Sequence, residues 1–217
     1  MTEYEAIFAR HSVRKYKSDP IEPEKAAILR DRIEKINAET GLSIKLYLDE
    51  PGAFEGNKPS YGSFSGCRNY IMMAAEKGRD EDIGYYGESL VLLAQTLGLN
   101  TCWVALTFEK KAVEAPDGCR IYDLIALGYG QTQGVPHRSK PVEKLYKSDG
   151  DVPEWFLRGM EAAALAPTAI NQQRFLFVYQ NGKVSCKALF GPCSKTDLGI
   201  VKYHFELGAG RKLDELG

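Results

Sequence analysis

The 217-residue chain has no apolar run approaching the roughly 20 residues that a membrane helix needs. It has no basic excess either: 28 Lys and Arg stand against 29 Asp and Glu, a formal charge of -1. A general nucleic-acid binder carries such an excess, so neither nucleic acid nor membrane is expected as a partner. The opening MTEYEAIFARHS is acidic and polar where a secretory signal has basic and then apolar residues, so a cytoplasmic protein is expected. Close cysteine pairs are missing too. The five cysteines, Cys67, Cys102, Cys119, Cys186 and Cys193, are odd in number and irregular in spacing, which suits reduced thiols. No C-x-x-C pair exists, and His11, His137 and His204 include no i, i+4 pair, so no metal site is expected. There is no G-x-S-x-G elbow, and no Cys–His pattern singles out a nucleophile. Low-complexity tracts and exact repeats are likewise lacking.

What is there is an ordinary globular composition, 44 % hydrophobic and 26 % charged, with alternating helical and extended patterns. Thr2, with Glu5 in the capping-box position, opens a short helix over 3–10. Residues 11–19 are basic and β-prone up to Pro20. Ala26, Ala27, Leu29, Ile33 and Ile36 keep helical period through 22–39, and Thr40-Gly41 ends that helix. Ile44, Leu46 and Leu48 alternate in a strand over 43–49. A long loop over 50–66, rich in Gly, Pro, Asn and Ser, leads to a short apolar strand over 67–75. Asp80-Glu81-Asp82 starts a helix that runs to residue 97 and stops at Gly98. Strands over 100–106 and 121–127 follow, with short helices over 109–114 and 140–146. Ser148-Asp149-Gly150-Asp151 is the clearest linker, dividing 1–147 from 152–217. Beyond it lie a helix over 153–165 with Pro in its first turn, a hairpin around Asn181-Gly182, and a last helix over 196–207. This irregular mixture is an α+β pattern.

Four groupings carry candidate chemistry. If Arg10-His11-Ser12-Val13-Arg14-Lys15-Tyr16 is extended, Arg10, Ser12 and Arg14 share one side. Two guanidinium forks flanking a hydroxyl suit a phosphate, although a solvated basic strand edge has the same composition. Arg138-Ser139-Lys140 repeats the pattern. Two such clusters in a neutral chain suggest one polyanionic ligand reached from two segments, with solvated charge as the plainer alternative. In Ala166-Pro167-Thr168-Ala169-Ile170-Asn171-Gln172-Gln173, the side chains of Thr168, Asn171 and Gln173 can read a planar heterocycle or make ordinary turn bonds. Gly128-Tyr129-Gly130-x-x-x-Gly134 hints at a dinucleotide fingerprint. Val135-Pro136-His137 follows where a helix N-terminus would have to face the pyrophosphate, so the Rossmann reading is set aside. Trp103, within an apolar stretch, reads as core.

In combination these motifs resemble the nitroreductase family of flavoproteins. The family's Arg-x-Ser-x-Arg opening followed by an aromatic is present at Arg10–Tyr16. Its helix-then-strand centre resembles 90–106, including Leu97-Gly98-Leu99-Asn100-Thr101-Cys102-Trp103. Its glycine turn followed by basic residues and Pro resembles Leu127-Gly128-Tyr129-Gly130 and Arg138-Ser139-Lys140-Pro141. Its Ala-Pro-Ser-Ala-x-Asn-x-Gln-Pro-Trp turn resembles 166–175. The order is unusual. Common members carry that turn some tens of residues after the opening and supply it across an intertwined homodimer. Here 37–43 does not match, and the turn lies near the C-terminus. The chain is therefore similar to a single-chain branch in which one chain mimics the dimer. The resemblance implies one interwoven domain, a flavin site built from both segments, and a monomer or a homodimer of such chains.

The resemblance also implies roles. Arg10, Ser12, Arg14, Arg138 and Lys140 would hold the phosphate of FMN, with His11 among the cofactor contacts. The backbone of Val104, Ala105 and Leu106 would lie near the flavin ring. Pro167, Thr168, Ala169, Asn171 and Gln173 would contact the ring. By its position alone, and not by the resemblance, the Gly-rich loop 60–66, with Tyr61 and Phe64, would cover it. Ala105-Leu106 replaces family glycines, so Leu106 would crowd the ring. Thr168 keeps the hydroxyl of Ser, and Arg174-Phe175 replaces Pro-Trp. The implied activity is ping-pong hydride transfer from NAD(P)H through FMN to an electron-poor small molecule, such as a nitroaromatic or quinone. Flavin carries that chemistry, and no catalytic side chain is named. The alternative is a flavin- or nucleotide-binding protein without turnover.

Overall fold

A computed structural model describes residues 1–55, 63–136 and 138–216. Ser60, Tyr61 and Gly62 of the expected ring-covering loop, and His137, lie outside the described residues. The chain divides into two units. The first holds Met1, Ala9–Arg79 and Leu90–Pro136; the second holds Thr2–Phe8, Asp80–Ser89 and His137–Gly217. Helix α1 (Glu3–Ala9) starts on the capping box read from sequence. Thr2 Oγ1 accepts from the Glu5 amide at 3.2 Å, and Glu5 Oε2 accepts from the Thr2 amide at 2.8 Å.

In the first unit, α2 (Pro23–Thr40) buries Ala26, Leu29, Ile33 and Ile36 and stops at Gly41, whose φ of 71° is left-handed. Asn37 fixes the exit by exchanging hydrogen bonds of 2.8 and 3.0 Å with the backbone of Ile44. Those bonds clamp α2 to β1 (Ser43–Tyr47). Strands β2 (Asn69–Ala75), β3 (Asn100–Val104) and β4 (Arg120–Gly128) complete an antiparallel sheet of order β1-β2-β4-β3. Alternation sends Tyr70, Met72 and Ala74 to one face, where they join Val13, Tyr16, Cys102, Val104, Leu124 and Ala126 in a core. Ile71 and Met73, on the opposite face, are also fully buried. A central strand covered on both faces reads as a continuous apolar run, which is why 67–75 lacks alternation. Each large apolar side chain so buried stabilises by about 1.5–3 kcal/mol.

Helix α3 (Asp80–Thr96) has its first half in the second unit and the rest in the first. The second unit also contains β5 (Tyr146–Ser148), α4 (Glu154–Ala164), β6 (Phe175–Gln180), β7 (Lys183–Ala188) and α5 (Ser194–Ala209). Its sheet order is β5-β6-β7, with β5 parallel to β6. Asn181 and Gly182, at φ of 52° and 78°, close the β6–β7 hairpin as a turn with two left-handed residues. Glycines set the helix spacing. A Cβ on Gly84 would lie 1.9 Å from the Thr196 carbonyl oxygen, and one on Gly199 would lie 1.9 Å from that of Glu81, so α3 and α5 cross backbone to backbone. Phe156, Phe177 and Phe205 pack together beside them, the last two stacked at 4.6 Å.

Three local expectations are corrected. Residues 140–146 are not a helix. Only Val142–Lys144 forms a 3-10 turn, and Tyr146 leaves it to pair with Phe177. Residues 109–114 are helical only over Lys110–Ala112. The stretch read as a linker lies inside the second unit: Ser148 pairs with Tyr179, and Asp149 Oδ2 accepts from the Asn181 amide at 3.2 Å. No described helix is long and apolar enough to cross a membrane.

Candidate functional site

In the first unit, residues 12–17 are extended and stitched on three sides. The Val13 amide donates to Thr101 O, Tyr16 to Ser65 O, and Lys17 to Tyr129 O, while Ser65 and Gln131 donate to Arg14 O and Lys15 O, all at 2.8–3.0 Å. Val13 and Tyr16 turn inward, and Tyr16 donates its hydroxyl to Val13 O at 2.7 Å. Arg10 and Ser12 meet: Arg10 Nη2 donates to Ser12 Oγ at 3.5 Å. Arg10 is 5 % exposed, and its Nε has no hydrogen-bond partner among the described residues. Cys102 reports the side these residues share. Burial raises its thiol pKa, while Arg14, a hydrogen bond with Ser12, and Arg10 act in the opposite direction. Two guanidinium groups and a hydroxyl thus lie on one extended segment, a composition suited to an anion.

The glycine pattern that hinted at a dinucleotide has a packing role. A Cβ on Gly130 would lie 2.9 Å from Val13 Cγ1, and one on Gly134 would lie 2.8 Å from His11 Cβ. These glycines let their loop approach 10–16 closely. Asn100 holds that loop, accepting from the Gly130 amide at 2.9 Å and donating to Gln133 Oε1 at 3.0 Å. Val104 is buried at the end of β3, Ala105 is half-buried, and the Leu106 side chain is 72 % exposed.

In the second unit, two groupings noted separately in sequence form one hydrogen-bonded structure. The Lys140 amide donates to Gln173 Oε1 at 2.7 Å, and Lys140 Nζ donates to the Gln172 and Gln173 carbonyls at 2.8 Å each. Asn171 Nδ2 donates to Arg138 O at 2.9 Å. Gln173 is buried; its Nε2 donates to Ala164 O at 2.9 Å and its backbone amide donates to Thr168 Oγ1 at 3.1 Å. Burial, and then Arg174, lower the Lys140 pKa. Pro167, Thr168 and Ala169 are half-buried at the head of the turn, while Arg138 and Asn171 are exposed.

Sequence reasoning missed Asp197. This side chain, 3 % exposed, accepts from the Ala169 amide at 2.9 Å and from Gln172 Nε2 at 2.7 Å. The available signal was an acid in the first turn of α5, a position common to many helices. Among the described residues no group of His, Cys, Asp and Glu is arranged to hold a metal.

A family model described as Putative TM nitroreductase matches residues 2–209. A solved structure of a putative nitroreductase from Thermotoga maritima is 26 % identical, with a TM-score of 0.69 over 98 % of this chain and 87 % of that one. Putative NADH dehydrogenase/NAD(P)H nitroreductases share the fold at lower identity. That of Parabacteroides distasonis has 22 % identity and a TM-score of 0.54, over 68 % of this chain and 98 % of that one. That of Bacteroides thetaiotaomicron has 21 % identity and a TM-score of 0.53, over 65 % of this chain and 94 % of that one. No curated protein matches. The α+β architecture is that of these structures, and the family match runs through both units; the chain is a member of the nitroreductase family, of the type described as Putative TM nitroreductase.

Proposed function

We propose that the protein is an FMN-dependent NAD(P)H oxidoreductase. The observation that carries this reading is Arg10, buried with an unpartnered Nε. Leaving such a donor unsatisfied costs about 1–3 kcal/mol, more for a charged group. A phosphate oxygen supplies the missing acceptor, and the neighbouring Ser12 and exposed Arg14 suit the remaining oxygens. The residues present therefore fit the phosphate of FMN, with His11 beside them. Further phosphate contacts are assigned to Arg138 and to Lys140, whose ammonium has three N–H groups and gives two of them to carbonyls. The backbone of Val104, Ala105 and Leu106 is assigned to the ring, with the Leu106 side chain 72 % exposed beside it. Pro167, Thr168, Ala169 and Asn171 are assigned to the ring as well, whereas Gln173, expected there from sequence, is 1 % exposed and bonded to Lys140 and Ala164, and so shapes the turn from inside.

When bound, FMN supplies hydride acceptance from NAD(P)H and onward transfer to an electron-poor small molecule such as a nitroaromatic or quinone. The chain's part is to bind and orient: Arg10, Ser12 and Arg14 anchor the phosphate end, and the half-buried head of the turn, Pro167 to Ala169, packs on the ring. The test compares FMN with riboflavin, which lacks the phosphate. Arg10→Ala should weaken FMN binding about ten- to hundredfold, the loss of a charge-assisted contact of roughly 1.5–3 kcal/mol, and leave riboflavin binding unchanged. Equal loss for both ligands, or no loss, contradicts the assignment.

A further inference from the structure

The turn over 168–173 is built against the preference of its own residues. Ile170, Asn171 and Gln173 have φ of 48°, 54° and 46°. Left-handed backbone costs a non-glycine residue roughly 1–2 kcal/mol, and for β-branched Ile170 it is an outlier conformation. Such strain persists only where the surroundings over-determine it. Lys140 and Thr168 Oγ1 secure the far end of the turn at Gln172 and Gln173. Asp197 takes hold of its start through the Ala169 amide and of its middle through the Gln172 side chain.

Asp197 is suited to that task. Its own amide donates to Cys193 O at 2.9 Å in the first turn of α5, and α5 is seated on α3 through the Gly84–Gly199 crossing. The carboxylate therefore projects from a fixed support. Gln172 Nε2 also donates to Pro192 O at 2.6 Å, which orients its amide toward Asp197. Space for that amide exists because position 191 is glycine: a Cβ there would lie 2.4 Å from Gln172 Oε1. A carboxylate this deeply buried, with amide donors and no salt bridge among the described residues, is unfavourable for folding alone.

We infer that Asp197 is a positioning residue, which holds the 168–173 turn in the left-handed form that meets the flavin ring. This rests on the proposed assignment of that turn to the cofactor. Two readouts on the full chain test it: hydrogen exchange at the Ala169 amide without ligand, and affinities for FMN and riboflavin. Asp197→Ala should remove protection at Ala169 and weaken both flavins by the same factor, about tenfold, since the ring is common to them. Asp197→Asn keeps an acceptor oxygen for Ala169 and should restore its protection and most of the affinity. If Asp197→Ala does not fold, Gln172→Met removes the second grip from the other side and should lower both affinities together. Unchanged exchange at Ala169 in Asp197→Ala overturns the proposal, as does lost protection with both affinities intact. A wild-type chain that binds neither flavin, while Ala169 protection still depends on Asp197, overturns the cofactor reading and the flavin part of this one but not the hold on the turn.

Discussion

Arg10 and Asp197 are buried polar groups left incompletely compensated, and each points to a different use. Arg10 Nε has no acceptor among the described residues, and the proposed phosphate would supply one. Asp197 has its donors, yet burial pushes its carboxyl up from 3.8 to about 6, against the weaker downward pull of Gln172 and Ala169. The sign of the consequence is fixed by linkage. Between the two values the folded chain keeps a proton that the unfolded chain has released. This contribution to stability is therefore complete below about pH 4 and lost as pH rises to about 6, by roughly 3 kcal/mol. Urea unfolding across that window should show the stability of the wild type falling relative to that of Asp197→Asn as pH rises, whatever the other carboxylates add to both. A difference between the two that stays constant, or that changes in the opposite direction, would contradict the burial argument.

At the scale of elements, close backbone approach is the recurring device. Gly199→Ala would put a methyl group 1.9 Å from the Glu81 carbonyl oxygen, contact that only a shift of α3 against α5 can relieve. We expect a loss of about 2–4 kcal/mol, read as a lower thermal midpoint, whereas Ala at the solvent-facing Gly150 should change little. What the sequence revealed follows from how local each rule is. The Thr2–Glu5 capping box, the Gly41 stop and the Asn181-Gly182 hairpin depend on neighbours a few residues apart, and all are present. Tyr146 was misread as helical because its strand partner, Phe177, is far along the chain. The glycines at 130 and 134 suggested a ligand because a sequence does not show that Val13 and His11 press on them. Asp197 escaped notice for the same reason: its partners lie 28 and 25 residues away. The order of site motifs along the chain was legible; the hydrogen bonds joining Arg138-Ser139-Lys140 to the 168–173 turn were not.

For the whole molecule, the chemical content comes from membership of the nitroreductase family, in a chain of near-zero net charge. The positive charge proposed to meet the phosphate is local, at Arg10 and Arg14 beside Ser12 in the first unit, in a chain whose charges nearly balance. The central claim is that this chain binds FMN and turns it over with a nicotinamide donor. The most direct test is anaerobic addition of NADH and of NADPH to the FMN-loaded protein, followed at the visible flavin band. The account predicts bleaching by at least one donor and return of the colour on adding a nitroaromatic or quinone. Protein that takes up no FMN, or that stays yellow with both donors, would contradict it.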